Sequence, residues 1–361
     1  MAYTTIDNPE LHFQCKTYTG NGSTQSITLD GSEDMQPDFV WMANRGRSED
    51  KPIYDSVRGA TKAILSNTNA VEETKSAGLT SFNSDGFSLG SDSMANYNND
   101  TFVAWCFKAG TSFSNDASAT SIGSIDSSGK VNSDSGFSII GYTGDAQTGT
   151  TIAHGLGAKP NFIILKNREP DIANWQVYHS SLAATHYIQL NSTGAAADSN
   201  TRWNDTEPTS TVFTTGSSGD VKGDSSGETF IAWCFKPIKG FSKFGSYVGT
   251  GAASTAPFRF TGFKPAFLIV KESDGADGWG LYDNKRNDLP GNTTSFLTQA
   301  QSSDTESNAV ANQIDFLSNG FRVCAAGTNG DFINEDGKTY IYAAFAEAPF
   351  VNSNGVPCNA G

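Results

Sequence analysis

The sequence predicts an all-β chain of three tandem antiparallel β-sandwich repeats, and three observations carry that reading. First, Phe102-Val-Ala-Trp-Cys-Phe-Lys108 returns as Phe230-Ile-Ala-Trp-Cys-Phe-Lys236, with Tyr340-Ile-Tyr-Ala-Ala-Phe-Ala346 as a weaker third copy. Second, the apolar segments are short, rich in Val, Ile, Phe, Tyr and Thr, and bounded by clusters of Gly, Asn, Asp and Ser, which is the pattern of strands and turns. Third, helical periodicity is nearly absent; only residues 71–76 and 181–187 could form a turn or two.

Each repeat opens on an aromatic mark, Tyr18-Thr-Gly-Asn21, Tyr142-Thr-Gly-Asp145 or Tyr247-Val-Gly-Thr250. A proline and an aromatic-led apolar run follow: Pro37-Asp-Phe-Val-Trp-Met42, Pro160-Asn-Phe-Ile-Ile-Leu165 and Pro265-Ala-Phe-Leu-Ile-Val270. Hairpins come next, because Ser84-Asp-Gly86 and Ser318-Asn-Gly320 lie between apolar stretches and both turn residues tolerate positive φ. The recurrent segment closes the repeat. It is apolar at successive positions, so both faces are buried and it reads as a central strand. The core of the repeats is thus expected at Trp105, Cys106 and Phe107, at Trp233, Cys234 and Phe235, and at Ala344 and Phe345.

The three marks shift together from copy to copy, which sets the boundaries: residues 1–110, 136–240 and 241–361 as sandwiches of about a hundred residues each. Residues 111–135 are rich in Ser, Asp, Gly and Ala and read as a linker, with a short strand near residues 122–125. The join at Pro237-Ile-Lys-Gly-Phe241 is short and favours direct packing of the second unit on the third.

Composition narrows the function. Of 361 residues, 24 are Lys or Arg and 38 are Asp or Glu, for a net charge of −14. Holding nucleic acid needs a basic surface, so that class is set aside. The N-terminus has neither the basic stretch nor the apolar core of a signal peptide, and no apolar run approaches the ~18–20 residues that span a bilayer. Five widely spaced cysteines without a C-x-x-C pattern fit synthesis in a reducing cytoplasm.

Candidate chemistry is sparse. Gly86-Phe-Ser-Leu-Gly90 matches the G-x-S-x-G of hydrolases, but it sits in a hairpin, and the third copy places Arg322 where Ser88 stands. Cys106 and Cys234 share a slot that Ala344 fills in the third copy, so the slot asks for a small apolar group rather than a thiolate. His12, His154, His179 and His186 show no metal-ligand spacing; His179 follows Tyr178 as Asp55 and Asp283 follow Tyr54 and Tyr282. The acidic turns 220–228 and 331–337 could offer oxygens to Ca²⁺ but lack the alternation of a calcium loop and read as solvated hairpins. No other cofactor is implied. Trp175 and Trp279 belong to the repeated scaffold and are expected half-buried. Trp203 has no counterpart in the other repeats; with Arg202, Asn204 and Asp205 beside it, it suits either anchoring of its own long loop or stacking against a sugar.

The quoted motifs, together with His154-Gly-Leu-Gly-Ala-Lys-Pro160, Asn174-Trp-Gln-Val-Tyr-His-Ser180, Tyr282-Asp-Asn-Lys-Arg286 and Asp315-Phe-Leu-Ser-Asn-Gly-Phe321, resemble a family of uncharacterised virion proteins of tailed bacteriophages, abundant in marine phages and cyanophages. The resemblance covers nearly the whole chain. It implies concanavalin-like jelly-roll units and a place on the virion surface after synthesis in the host cytoplasm, and it transfers no active-site residue. The resulting expectation is a non-enzymatic structural protein, a tail fibre, adaptor or capsid decoration. It would dock to other virion proteins, assemble as a homo-oligomer, a trimer by the usual symmetry of phage appendages, and contribute to attachment at a host glycan. A dedicated glycan-binding module is the alternative, and a polysaccharide depolymerase a more distant one.

Overall fold

A computed structural model describes residues 3–169, 173–287, 294–325 and 332–358. The described residues are all-β, 43% strand against 7% helix, with antiparallel sheets that pair as several β-sandwich units. Each unit has a large and a small sheet. In the first unit the large sheet runs, edge to edge, Phe13–Thr19, Thr101–Phe107, Phe39–Asn44, Pro52–Asp55, Lys62–Leu65 and Glu73–Thr74. The third unit repeats that order with Ser242–Val248, Thr339–Pro349, Phe263–Glu272, Trp279–Asp283, Ser295–Gln299 and Ser307–Ala309. The second unit follows the same path from Phe137–Thr143 through Thr229–Phe235 and Phe162–Asn167.

Residues 111–135 are not a linker in structure. They form the strands Thr111–Asn115 and Ser127–Asn132, which extend the second unit's large sheet beyond Phe137–Thr143. Serine-rich composition misleads here because the segment lies at a sheet edge, where one face needs no apolar side chains.

The closing strand is central in every unit, and its two faces serve two cores. Side chains alternate along a strand, so Phe102, Ala104 and Cys106 point into the first unit's own sandwich while Val103, Trp105 and Phe107 point the other way. Phe230, Ala232 and Cys234 against Ile231, Trp233 and Phe235 repeat the division. The inward faces of the three large sheets meet in one continuous core. Along its middle, Phe107, Phe235 and Phe345 form a triangle, with ring centroids 5.6 Å, 4.9 Å and 5.5 Å apart. Each ring pair contributes about 0.5–1.5 kcal/mol beyond its area of burial. The units therefore surround a pseudo-threefold axis rather than forming a rod.

Polar contacts close the ring in one rotational sense. Trp175 Nε1 of the second unit donates to the carbonyls of Leu65 and Thr68 in the first, at 3.1 and 3.0 Å. Trp279 Nε1 of the third donates to the carbonyl of Gln189 in the second at 2.8 Å. Lys51, at the matching place in the first unit, donates to the carbonyls of Ser302 and Asp304 in the third. Trp175 and Trp279 are accordingly buried, at 0% and 1% exposure, and not half-buried. Both rings lie in the core that the units share, and the N–H at the ring edge finds its acceptor on the neighbouring unit.

Candidate functional site

The site proposed from sequence around Trp203 does not form a sugar platform. Trp203 is 1% exposed and meets Tyr178 edge-on at 5.9 Å inside the second unit's sandwich. It sits on the short helix Asn200–Trp203, which Ser199 caps and which Asn204 ends in the left-handed conformation. That reversal turns the indole inward and leaves Asp205 outside. Arg202 lies over the Tyr187 ring, donates to Gln176 and pairs with Asp220 at 3.3 Å. Trp203 anchors its loop.

The other candidates are equally occupied. Ser88 shares a hydrogen bond with the hydroxyl of Ser26 at 3.1 Å and accepts one from Asn83, within the hairpin that Gly86 turns at φ +100°. Cys106 and Cys234 are fully buried, free, and in separate sandwich cores, and burial holds their thiols far above the ordinary range. Burial pushes His154 and His179 down to about 4. His179 donates from Nε2 toward the carbonyl of Tyr342 at 3.0 Å, so it is an interface residue.

Of the two acidic turns, 220–228 spends its carboxylates internally. Asp220 accepts from Asn174 and Gln176, and Glu228 accepts from Asn167 and from the amides of Asp224 and Ser225. In the second turn Asp331 lies outside the described residues. Glu335 approaches Glu272 and Asp277, with carboxylate oxygens within 4.8 Å of one another. The repeat explains Glu272 without a metal. Asn44 donates to Asp100 at 2.8 Å and Asn167 to Glu228 at 2.6 Å; at the same two positions the third unit places Glu272 and Lys338, 3.3 Å apart. Donor and acceptor have exchanged sides.

A groove of about 820 Å³ lies at the seam of the first and second units. Its origin is the added hairpin of residues 111–135. Ser114, Ser128 and Gly141 stand in register across three strands and make a flat floor. Val57 of the first unit forms one wall; Asp116, Asp126 and Arg168 line the rest. Arg168 is held by a two-pronged bond to Glu72, at 2.9 Å in each prong. The Ser114 and Ser128 side chains bond to nothing among the described residues, so the groove offers hydroxyl and carboxylate groups to a polar ligand. Sequence reading passed over it because serines in a turn-rich stretch carry no signal of which face of which sheet they join. None of the described helices is long and apolar enough to cross a membrane.

Fold and groove define an all-β protein of fused sandwich units with a polar seam. Residues 8–349 match a family described as a domain of unknown function, DUF7483, and the chain belongs to that family. No curated protein matches it.

Proposed function

We propose that the protein is a non-enzymatic structural component of a tailed-bacteriophage particle, displayed on its surface as a tail or capsid appendage and docked to other virion proteins. The observation that carries this reading is the shared core: three sheets packed around one axis make a single block with its loops on the outside. The motif order, which resembles that of phage virion proteins, supplies the setting. One chain here holds the threefold arrangement that a homotrimer would supply. Quantitative mass spectrometry of purified virions, scaled to the major capsid protein, tests the reading. Near-stoichiometric abundance would indicate a capsid decoration and a few copies a tail appendage; absence from particles would refute the proposal.

Glycan binding is a second reading, now favoured by the groove rather than by Trp203. The free hydroxyls of Ser114 and Ser128 suit a polyhydroxylated ligand. Saturation-transfer NMR with host polysaccharide should show contact in the wild type and lose it in Ser128→Leu; unchanged transfer in that variant removes the reading.

A further inference from the structure

One sheet edge in the third unit is open where the second unit closes the corresponding edge with its own chain. Strand pairing places Ile27, Ile152 and Arg259 at one equivalent position, each opposite a buried phenylalanine, Phe87, Phe213 and Phe321 respectively. In the second unit the outer edge of Thr151–Ala153 is taken by the added segment. Ser124 N–H donates to the Thr151 carbonyl at 2.9 Å, Ser127 Oγ donates to the Ala153 carbonyl at 2.9 Å, and Ile125 bridges Ile152 in parallel.

In the third unit the matching carbonyls belong to Phe258 and Phe260, and among the described residues no strand pairs there. Side-chain cations occupy them instead. Lys243 Nζ donates to the Phe260 carbonyl at 2.6 Å, and Arg259 Nη1 donates to the Phe258 carbonyl at 3.3 Å. Both phenylalanine rings face solvent, at 41% and 48% exposure. Lys239 lies over the Tyr3 ring at 4.4 Å, next to the same edge, since Tyr3 donates to the carbonyl of Gly262. Arg259 Nε is buried without a partner. None of Lys239, Lys243 and Arg259 makes an ion pair among the described residues, in a chain of net charge −14. Elsewhere the cations are mostly spent on carboxylates; here three lie together on carbonyls and aromatic rings, with no carboxylate paired to them among the described residues.

We propose that the edge Phe258–Phe260 is a docking site for an extended acidic segment of another protein, which adds a strand to the small sheet. A neutral strand would displace two cation–carbonyl bonds and leave the cations without partners, so the edge resists indiscriminate pairing. A strand carrying Asp or Glu returns a carboxylate to each displaced cation while its own N–H groups take the carbonyls. Alternation along a strand then puts apolar residues over the two phenylalanine rings and acids on the lysines and arginine. Ile125, bridging Ile152 on the second unit's edge, already shows an apolar residue of an added segment in this place. The inference holds whether or not the particle reading does.

The test is fluorescence anisotropy with the full chain and two labelled peptides, GSIDIDG and its charge-reversed form GSIKIKG. GSIDIDG is expected to bind about tenfold tighter or more, to weaken with added salt, and to lose about tenfold in K243E/R259E. Lys239→Glu, at an exposed position, should weaken binding severalfold without touching the fold, and hydrogen exchange should show new protection at residues 258–260 on peptide addition. Equal binding of both peptides, no binding of GSIDIDG at millimolar concentration, or unchanged affinity in both variants would overturn the proposal. Concentration-dependent self-association abolished by Phe260→Ser, with no peptide binding, would assign the edge to a second copy and overturn it as well.

Discussion

The indole N–H of Trp105 donates to the carboxylate of Asp283 at 3.1 Å, across the boundary between the first and third units. Trp233 repeats the contact to Asp55, across the boundary between the second and first, at 3.3 Å. Each carboxylate is held by an arginine three residues on, Arg286 at 2.7 Å and Arg58 at 2.6 Å, with all four side chains fully buried. Each arginine reaches a glutamate, Glu306 or Glu72, and each glutamate is gripped in turn by an arginine of the neighbouring unit, Arg45 or Arg168. At the remaining boundary these places hold Ala343, His179 and Leu182, so tryptophan, acid and arginine have been lost together.

Removing one partner of such a relay leaves a buried charge uncompensated, which costs about 3–5 kcal/mol. Asp283→Ala is therefore expected to destabilise the chain by that amount in urea unfolding, since Arg286 loses one of the two anions that it contacts at 2.7 Å. Trp105→Phe removes a single hydrogen bond to a charged group and should cost about 1.5–3 kcal/mol. A loss below 1 kcal/mol in Asp283→Ala would show that the relay contributes little.

Burial of Trp203 makes a prediction opposite to that of a sugar platform. Trp203→Ala deletes a filled core position beside Tyr178 and should cost about 3–5 kcal/mol, read as a fall in thermal midpoint. Trp203→Phe should be milder, because the indole N–H has no partner to lose. A Trp203→Ala chain with wild-type stability would remove the anchoring role.

Much of the scaffold was legible because it repeats. The alternation in Phe102-Val-Ala-Trp-Cys-Phe107 gave a strand buried on both faces, and the Cys, Cys, Ala slot gave a small apolar site; both are what the cores contain. The closure into a ring was not legible, since the indole of Trp105 gives no sign in sequence of whether its partner is within its unit or beyond it. Trp203 misled for the same reason: polar neighbours describe the outside of its loop, while the helix reversal at Asn204 decides where the ring points. The groove was hidden because its floor combines Ser114 and Ser128, from a stretch with linker composition, with a wall from another unit.

Acid should loosen the boundary between the second and third units. Burial lowers His179 to about 4 in the folded chain, against an ordinary value of 6.5, so the folded state binds fewer protons than the unfolded one in that interval. Stability is thus complete above 6.5 and falls as the pH drops toward 4, by roughly 3 kcal/mol at about 1.4 kcal/mol per pH unit. His154, lowered to the same value by burial, adds to the slope. His179→Gln keeps a donor for the Tyr342 carbonyl and removes the titration, so its unfolding free energy should vary less between pH 6.5 and 4. An unaltered slope in that variant would place the acid sensitivity elsewhere.

The loss of tryptophan at the third boundary is compensated directly across the strand pair. Cys15 faces Trp105, Ile139 faces Trp233 and Phe244 faces Ala343, so the residue opposite grows where the tryptophan is absent. Geometry supports the exchange: Trp105 stacks at 5.2 Å on Phe267, Trp233 meets Phe39 at 5.3 Å, and Phe244 stacks at 5.9 Å on Phe162, the equivalent ring of its neighbour. Phe244 fills the space that an indole fills at the other two boundaries. Phe244→Cys should then open a cavity and cost about 3–5 kcal/mol, while Ala343→Trp should overpack the boundary at about 1–3 kcal/mol. Combined in F244C/A343W, which writes the first unit's pair into the third, the two changes should cost less than their sum by at least about 1 kcal/mol. Thermal or urea unfolding of the three variants closes the cycle. Strict additivity would mean that Phe244 and Ala343 do not share one volume.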